Sequence, residues 1–214
     1  MDALKLDRPV LVGHSIAGEE LSSVGTRHPE KVAGLIYLDA AYPYAFYDSS
    51  RGDLIIDSLD LEKKLQQLPG LAPQEQKQLV QELLQTGLPQ IQRDLQEHLK
   101  VLETAPADQP SIQVPAPARA IIAGEQKYTD FHVPILAIYA LPHSGGPALF
   151  LKDPAARAAA EAMDLARTGA QAKAFETAVP SARIIRLPHA NHFLFQSNEA
   201  DVLREMNSFL GSLK

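Results

Sequence analysis

The chain has 214 residues, of which 45% are hydrophobic and 21% are charged, the composition of an ordinary globular protein with one main domain. A formal net charge of -6 argues against nucleic acid as a partner, because no basic surplus is present to displace counterions from a polyanion. The sequence contains no cysteine, which excludes disulfides, thiolate zinc sites and a cysteine nucleophile.

The first residues carry no targeting signal that the sequence reveals. Residues 1–8 have neither the basic start nor the apolar middle of a signal peptide, and no apolar run approaches the roughly 20 residues of a membrane span. As written, the chain is expected to be soluble and cytoplasmic, with no membrane partner. Its localisation stays open, because a longer natural chain could begin with a secretion signal.

The first predicted strand, residues 10–12, leads into the stretch Gly13-His14-Ser15-Ile16-Ala17-Gly18. A serine hydroxyl is a poor nucleophile unless a base takes its proton, and a tight strand-to-helix turn with small neighbours exposes that hydroxyl. The stretch departs from the G-x-S-x-G pattern because Ala17 occupies the last position and Gly18 follows it. Ser15 is therefore the candidate nucleophile.

Further apolar runs rich in valine and isoleucine predict three more strands, at residues 35–38, 135–141 and 183–187. Such runs, separated by helix-like segments, are typical of parallel strands that are covered on both faces. The helix after Ser15 is expected to end at Arg27, where His28-Pro29 stops it. The alanine-rich residues 155–177 predict a helix or a broken pair of helices, and a last helix begins near Asn198.

The character of the sequence changes between residues 48 and 129, where glutamine becomes abundant. Residues 59–68, 73–84 and 88–102 are patterned as amphipathic helices, whereas 104–117 is rich in proline and alanine and predicts a surface loop. We interpret residues 48–129 as a helical cap inserted into a core formed by 1–47 and 130–214. A small helical domain without a part in the chemistry is the alternative.

Two histidines, His189 and His192, lie between the last predicted strand and the closing helix. An imidazole can accept the serine proton and pass it to the leaving group, and a carboxylate fixes the tautomer of that imidazole. His192 is the stronger candidate base because the apolar residues 193–195 beside it could wall a dry pocket. His189 lies closer to the strand end and could be structural.

Together, the serine turn and the histidine segment resemble the α/β-hydrolase family, and the likeness runs nearly from end to end of the chain. It is carried by residues 12–18 (VGHSIAG), 32–39 (VAGLIYLD) and 190–193 (ANHF). The resemblance implies an α/β fold, a partial α/β-hydrolase fold with a mostly parallel sheet, flanking helices and a cap. It also implies a serine hydrolase that cleaves a small-molecule carboxylic ester through an acyl-enzyme, without cofactor or metal, with the Ile16 amide as an oxyanion donor.

The acid of the implied triad is where the sequence departs from the family. Family members usually carry it just beyond the third predicted strand, where this chain reads Ala140-Leu141-Pro142-His143 and has no carboxylate. Some relatives, the haloalkane dehalogenases among them, place it at the end of the strand after the serine turn, where this chain has Asp39. Asp39 is therefore the predicted acid and Asp153 the second candidate; the alternative for Asp39 is the capping of a turn.

Three aromatic side chains are predicted to contact the substrate: His14 beside the nucleophile, Tyr42 after Asp39, and Phe193 after the candidate base. Aromatic residues of this kind can shape an apolar pocket for an acyl or alcohol group. Two of them have a packing alternative: His14 could fill the space of the turn, and Tyr42 could pack the cap onto the sheet.

The family's fold places further strands before the serine strand, and this chain begins close to that strand. The resemblance therefore implies an N-terminally truncated form, which lacks the loop that gives the second oxyanion amide. The serine strand would then be an exposed edge through which two copies could associate. A weakly active or non-catalytic fragment that acts as a binding module is the alternative to an active hydrolase.

Overall fold

The computed structural model describes residues 2–104, 116–144 and 153–213. The chain divides into two compact units, one formed by Met1–Asp48 and Tyr128–Lys214, the other by Ser49–Lys127. The cap role of the second unit stays a prediction. Most of the predicted surface loop, residues 105–115, lies outside the described residues, and a helix begins at residue 116.

The first unit contains a parallel sheet with the strand order β1-β2-β3-β4. Its strands are β1 (Val10–His14), β2 (Gly34–Leu38), β3 (Ile135–Ala140) and β4 (Ala182–Leu187). All four predicted strands are thus confirmed. In the described sheet β1 is an edge strand, and its Val12 is 48% exposed.

The described residues contain eight α-helices. They are α1 (Ala17–Arg27), α2 (Leu54–Gln67), α3 (Pro73–Glu82), α4 (Leu88–Thr104), α5 (Ala116–Ile122), α6 (Pro154–Ala178), α7 (Leu194–Ser197) and α8 (Glu199–Ser212). The alanine-rich segment forms one continuous helix, α6, instead of a broken pair. Among the described residues, no helix has the length and apolar character needed to cross a membrane.

Alternating side chains of each strand face opposite sides of the sheet, and both sides are covered. On one side, Leu35 and Tyr37 of β2 pack in a buried cluster with residues of α1 and α6. On the other side, Ile36 and Leu38 pack in a cluster with residues of α7 and α8. Burial on both faces explains why β2 and β3 are apolar without alternation, since neither face meets water.

The carboxyl ends of the four parallel strands meet at one edge of the sheet. Ser15 follows β1, Asp39 follows β2, His143 lies three residues beyond β3, and His192 lies five residues beyond β4. Residues far apart in sequence are brought together at this edge by the parallel topology alone. Ligand sites of open α/β sheets lie at this edge for the same reason.

Gly18 allows α1 to approach the chain that follows β2. A Cβ atom at Gly18 would lie 1.9 Å from the backbone oxygen of Ala40, the residue after Asp39. We expect Gly18→Ala to destabilise the protein by about 1–3 kcal/mol, because the backbone must shift to remove the overlap. Thermal unfolding measures this loss, and the shift of Ala40 should also lower any activity that depends on Asp39.

Gly211→Ala is the matched control for this prediction. Gly211 also lies in a helix, α8, and a Cβ atom there would meet nothing within 4 Å. This control is expected to be neutral or slightly stabilising, since alanine has the higher helix propensity. Equal melting temperatures for Gly18→Ala and the wild type would contradict the tight approach.

The described residues of the second unit form helices joined by short turns. Helix α2 begins at Leu54, five residues before the predicted start, because the Asp53 side chain accepts hydrogen bonds from the amides of Ile55 and Ile56. The predicted helices at 73–84 and 88–102 are confirmed as α3 and α4. A short stretch of π-helix, Leu83–Gly87, joins them into one helical run.

Asp94, buried in the second unit, predicts a pH-dependent stability. Its Oδ1 accepts from Gln90 Nε2 at 2.8 Å, and burial together with the neighbouring Asp57 raises the pKa of Asp94 to about 6. A carboxyl whose folded pKa is raised stabilises the fold below its unfolded pKa of about 3.9, and this contribution is lost as the pH rises through about 6. The ionised form therefore costs stability at pH 7.

Asp94→Asn removes that charge and keeps an oxygen that can accept from Gln90. We expect the variant to be more stable than the wild type at pH 7, by about 1–3 kcal/mol, and to show no gain at pH 4. Thermal unfolding at the two pH values measures the difference. The same gain at both values would mean that ionisation of Asp94 is not its cause.

Candidate active site

Ser15 stands in the turn between β1 and α1 with a left-handed backbone, at φ 55°. A residue with a Cβ atom pays about 1–2 kcal/mol for this conformation, so the surrounding structure must enforce it. The Ser15 amide donates to the backbone oxygen of Leu38 in β2, and the backbone oxygen of Ser15 accepts from the Gly18 amide at 3.0 Å. These bonds fix a sharp strand-to-helix turn that projects the serine side chain from the edge of the sheet.

The side chains of Ser15, His192 and Asp39 form a continuous hydrogen-bonded chain. His192 Nε2 lies 3.0 Å from Ser15 Oγ, and His192 Nδ1 lies 2.7 Å from Asp39 Oδ2. An ionised carboxylate can only accept, so Nδ1 carries the proton and Nε2 is left to accept from the serine hydroxyl. The arrangement holds the imidazole in the tautomer that a general base needs.

A tight turn after β4 presents His192 rather than His189. The side-chain Oδ1 of Asn191 accepts from the backbone amide of Phe193 at 2.8 Å, while the backbone amide of Asn191 donates to Ser197 Oγ. His189 is exposed, so of the two candidate bases His192 is the one that contacts Ser15.

Asp39 is fully buried, and its two oxygens receive four hydrogen bonds. Oδ1 accepts from the Ala140 amide at 2.9 Å and from the Tyr42 hydroxyl at 3.1 Å. Oδ2 accepts from His192 Nδ1 and from His143 Nε2, each at 2.7 Å. Burial alone would raise the pKa of Asp39, but the hydrogen bonds of His143 and His192, the charge of His143 and the Ala140 amide hold it below the ordinary value.

Tyr42, a predicted substrate contact, binds the acid through its hydroxyl. Burial and the nearby Asp39 carboxylate raise the pKa of Tyr42 far above its ordinary value, so the hydroxyl stays protonated and donates to Asp39 Oδ1. The ring of Tyr42 also stacks on that of His143, with the centroids 6.4 Å apart. Tyr42 therefore supports the orientation of Asp39, and a contact of its ring with substrate stays a prediction.

His14 and Phe193 pack around the candidate base. His14 Nε2 donates to the backbone oxygen of His192 at 2.8 Å, and its ring centroid lies 4.5 Å from that of His192. Phe193 lies edge-on against His192 and remains 50% exposed. His14 thus holds the His192 turn, and the exposed face of Phe193 is available to an apolar group beside Ser15.

The Ile16 amide belongs to the N-terminal end of α1, directly after Ser15. Ile16 has a helical backbone, and helix α1 carries no side-chain cap at this residue. The first amides of a helix have no partner within it and form the positive end of its dipole. This geometry suits the predicted oxyanion role of Ile16.

Asp153, the second candidate acid, has a structural role in α6. Its carboxylate accepts from the amides of Ala155 and Ala156 at 3.2 and 3.3 Å and caps the helix. Asp39 is the candidate that contacts His192.

His143 and Asp164 also belong to this cluster, and the sequence reasoning missed both. His143 contacts Asp39 on one side and Asp164 Oδ2 on the other, at 2.9 Å from Nδ1. The segment after β3 has no carboxylate, but it lies at the carboxyl end of a parallel strand, where site residues collect. That position is the signal that could have identified His143 as a candidate site residue. Asp164 lies four residues before the buried Thr168 of α6, on the inward side of that helix.

Asp39, His143 and His192 lie close enough together to be considered as metal ligands, with one atom of each within 4.8 Å of the others. However, His143 Nε2 and His192 Nδ1 each lie 2.7 Å from Asp39 Oδ2, a distance typical of a charge-assisted hydrogen bond. The remaining ring nitrogens contact Ser15 and Asp164. Hydrogen bonds therefore account for the whole cluster.

Comparison with known proteins identifies the family of the chain. The alpha/beta hydrolase family matches residues 1–205. No curated protein matches the chain.

Solved structures with low sequence identity are similar to the chain. An esterase from a marine microorganism is 17% identical, with a TM-score of 0.45; the match covers 97% of this chain and 72% of that protein. The carboxylesterase CesB (YbfK) from Bacillus subtilis is also 17% identical, with a TM-score of 0.44, and the match covers 98% of this chain and 62% of that protein.

Proposed function

Because the chain belongs to the alpha/beta hydrolase family, we propose that it hydrolyses carboxylic esters, with Ser15 as nucleophile, His192 as base and Asp39 as acid. The observation that carries this proposal is the unbroken hydrogen-bonded chain from Ser15 Oγ through His192 to the buried Asp39. Each of the three side chains stands at the end of a different strand.

In the first half of the reaction, Ser15 Oγ attacks the ester carbonyl carbon while its proton passes to His192 Nε2. The positive charge on His192 is stabilised by Asp39, which stays ionised, and the carbonyl oxygen takes the negative charge near the Ile16 amide. The tetrahedral intermediate collapses, the carbon–oxygen bond to the leaving group breaks, and His192 gives its proton to the departing oxygen, which is released as the alcohol. An acyl group remains on Ser15.

In the second half, water enters and His192 takes one of its protons as the oxygen attacks the acyl carbon. Collapse of this second intermediate breaks the bond to Ser15, which recovers the proton from His192, and releases the acid. An ester is the favoured acyl substrate because an alkoxide is a far better leaving group than the amide anion that an unprotonated amide nitrogen would leave as. A serine nucleophile also disfavours haloalkane and epoxide chemistry, for which relatives use an aspartate.

The proposal is tested by turnover of short-chain aryl esters. We expect the wild type to release the aryl alcohol well above background, and EDTA to leave the rate unchanged, because the proposed steps use only protein groups. His192→Gln should reduce the rate to near background. A wild-type chain that is folded and hydrolyses none of a broad ester panel would refute the proposal and favour a binding module.

A further inference from the structure

His143 lies between two carboxylates at the edge of the triad. Its Nε2 lies 2.7 Å from Asp39 Oδ2, and its Nδ1 lies 2.9 Å from Asp164 Oδ2. The backbone amide of His143 donates to the same Asp164 oxygen at 3.2 Å. With its side chain only 14% exposed, His143 is held by both neighbours and largely shielded from water.

The two ring nitrogens of His143 both face carboxylate oxygens, and this fixes the charge of the ring. Ionised carboxylates have no proton to donate, so each ring nitrogen that faces one must carry a proton. Neutral imidazole has a single N–H group, and only imidazolium has two. We propose that His143 is a positioning residue, an imidazolium held by Asp39 and Asp164 that fixes Asp39 Oδ2 against His192; this rests on the function proposed above.

The charged and titratable groups around His143 agree with a cation at this place. Burial alone would lower the pKa of His143, but the hydrogen bonds and charges of Asp39 and then Asp164 raise it to about 9. The neutral Tyr42 hydroxyl lies 3.0 Å from Nε2, and the ring centroid of His192 is 6.3 Å away. The exposed Arg167 lies 3.9 Å from Asp164 on its outer side.

The consequence of this cation for the triad follows from the burial of Asp39. The carboxylate would keep three donors without His143, and Oδ2 would keep only His192. A buried carboxylate that loses a cationic partner ionises less readily and can rotate about its side-chain bonds. Both changes weaken the contact that orients His192, and a small misplacement of a catalytic group costs up to about 100-fold in rate.

Deprotonation of His143 at high pH should weaken the triad. The folded pKa of His143 lies above its unfolded value of about 6.5. The ion pairs of His143 with Asp39 and Asp164 therefore stabilise the fold fully below pH 6.5, and this contribution is lost as the pH rises through about 9. Above about pH 9, one ring nitrogen becomes an acceptor facing a carboxylate oxygen. The wild-type kcat should therefore fall on an alkaline limb centred near pH 9.

The test compares His143→Gln and Asp164→Asn with the wild type in ester turnover between pH 6 and 10. Glutamine can still donate to Asp39 but carries no titrating proton. We expect His143→Gln to lower kcat by about 10- to 100-fold, to change KM by less than about twofold, and to lose the alkaline limb. Asp164→Asn should move that limb to lower pH, because it removes one of the two charges that hold the proton.

His132→Gln is the matched control, since His132 also pairs with an aspartate, Asp130, at 3.0 Å, but on the exposed surface. It should keep both the wild-type kcat and the alkaline limb. If His143→Gln behaves like this control while Ser15 is still reactive, the positioning role is wrong and the proposed function stands. If the wild type hydrolyses no ester at all, the proposed function has failed, and with it the positioning role.

Nitrogen-15 spectra of the histidine rings in the wild type give a readout that needs neither activity nor a folded variant. Imidazolium signals of His143, assigned by through-bond correlation of the ring to the His143 backbone, should persist to about pH 9. A ring that loses its proton near pH 6.5 would overturn the proposed imidazolium.

Discussion

Ester turnover is expected to fall by about 10⁴- to 10⁶-fold when Ser15 is replaced by alanine. The alanine side chain has no oxygen to attack the carbonyl, so no acyl-enzyme can form. His192 then has no serine hydroxyl from which to accept a proton. The rate of release of the aryl alcohol measures this loss. Ser58→Ala is the control, because Ser58 is exposed in the second unit and donates to the backbone oxygen of Leu54.

A companion variant, Ser15→Gly, separates the chemistry of Ser15 from its backbone strain. Glycine adopts a positive φ without the cost that Ser15 pays at 55°. The glycine variant should therefore be equally inactive but should melt at a higher temperature than the wild type. Residual turnover of either variant near the wild-type rate would show that another group is the nucleophile.

The second large effect is expected for Asp39→Asn, which should lower kcat by about 10³- to 10⁴-fold. Both oxygens of Asp39 accept hydrogen bonds, so an amide nitrogen in either position would face two donors. If that nitrogen faces His192, the imidazole must turn its bare nitrogen toward the new amide and its N–H toward Ser15, and it can no longer act as base. The variant should also melt at a lower temperature, because the buried ion pair with His143 is lost.

Asp153→Asn is the control for the acid. Asparagine can cap α6 nearly as well as aspartate, so turnover and stability should change little. A near-native rate for Asp39→Asn, or a large loss for Asp153→Asn, would move the assignment of the acid away from Asp39.

The sequence was sufficient to predict most of the fold of the first unit. The apolar strands and the turn around Ser15 follow from local patterns, and the parallel topology then places Ser15, Asp39 and His192 at one edge. The end of α1 is local as well, since His28-Pro29 stops the helix at Arg27. The strand and helix predictions succeed because each depends on neighbours in sequence, whereas the choice of Asp39 as the acid came from the resemblance to relatives that carry the acid at this point.

The contacts of His143 could not be predicted in the same way. Its bond to Asp39 joins residues 104 positions apart, and its bond to Asp164 depends on which side of the long helix α6 faces the sheet. Alanine-rich helices have a weak pattern, so the inward side of α6 is hard to identify from sequence. Helix α2 begins before its predicted start for a simpler reason, since the Asp53 side chain caps the helix ahead of the first periodic apolar residues.

The most direct measurement is covalent labelling of the wild-type chain with a fluorophosphonate, with the modified residue located by peptide mass spectrometry. An activated serine displaces fluoride from the probe, so one adduct is expected, on Ser15. The label should be absent from Ser15→Ala and strongly slowed in His192→Gln and Asp39→Asn. A folded wild-type chain that stays unlabelled, or that carries the label on another serine, would contradict the assignment of Ser15 as an activated nucleophile.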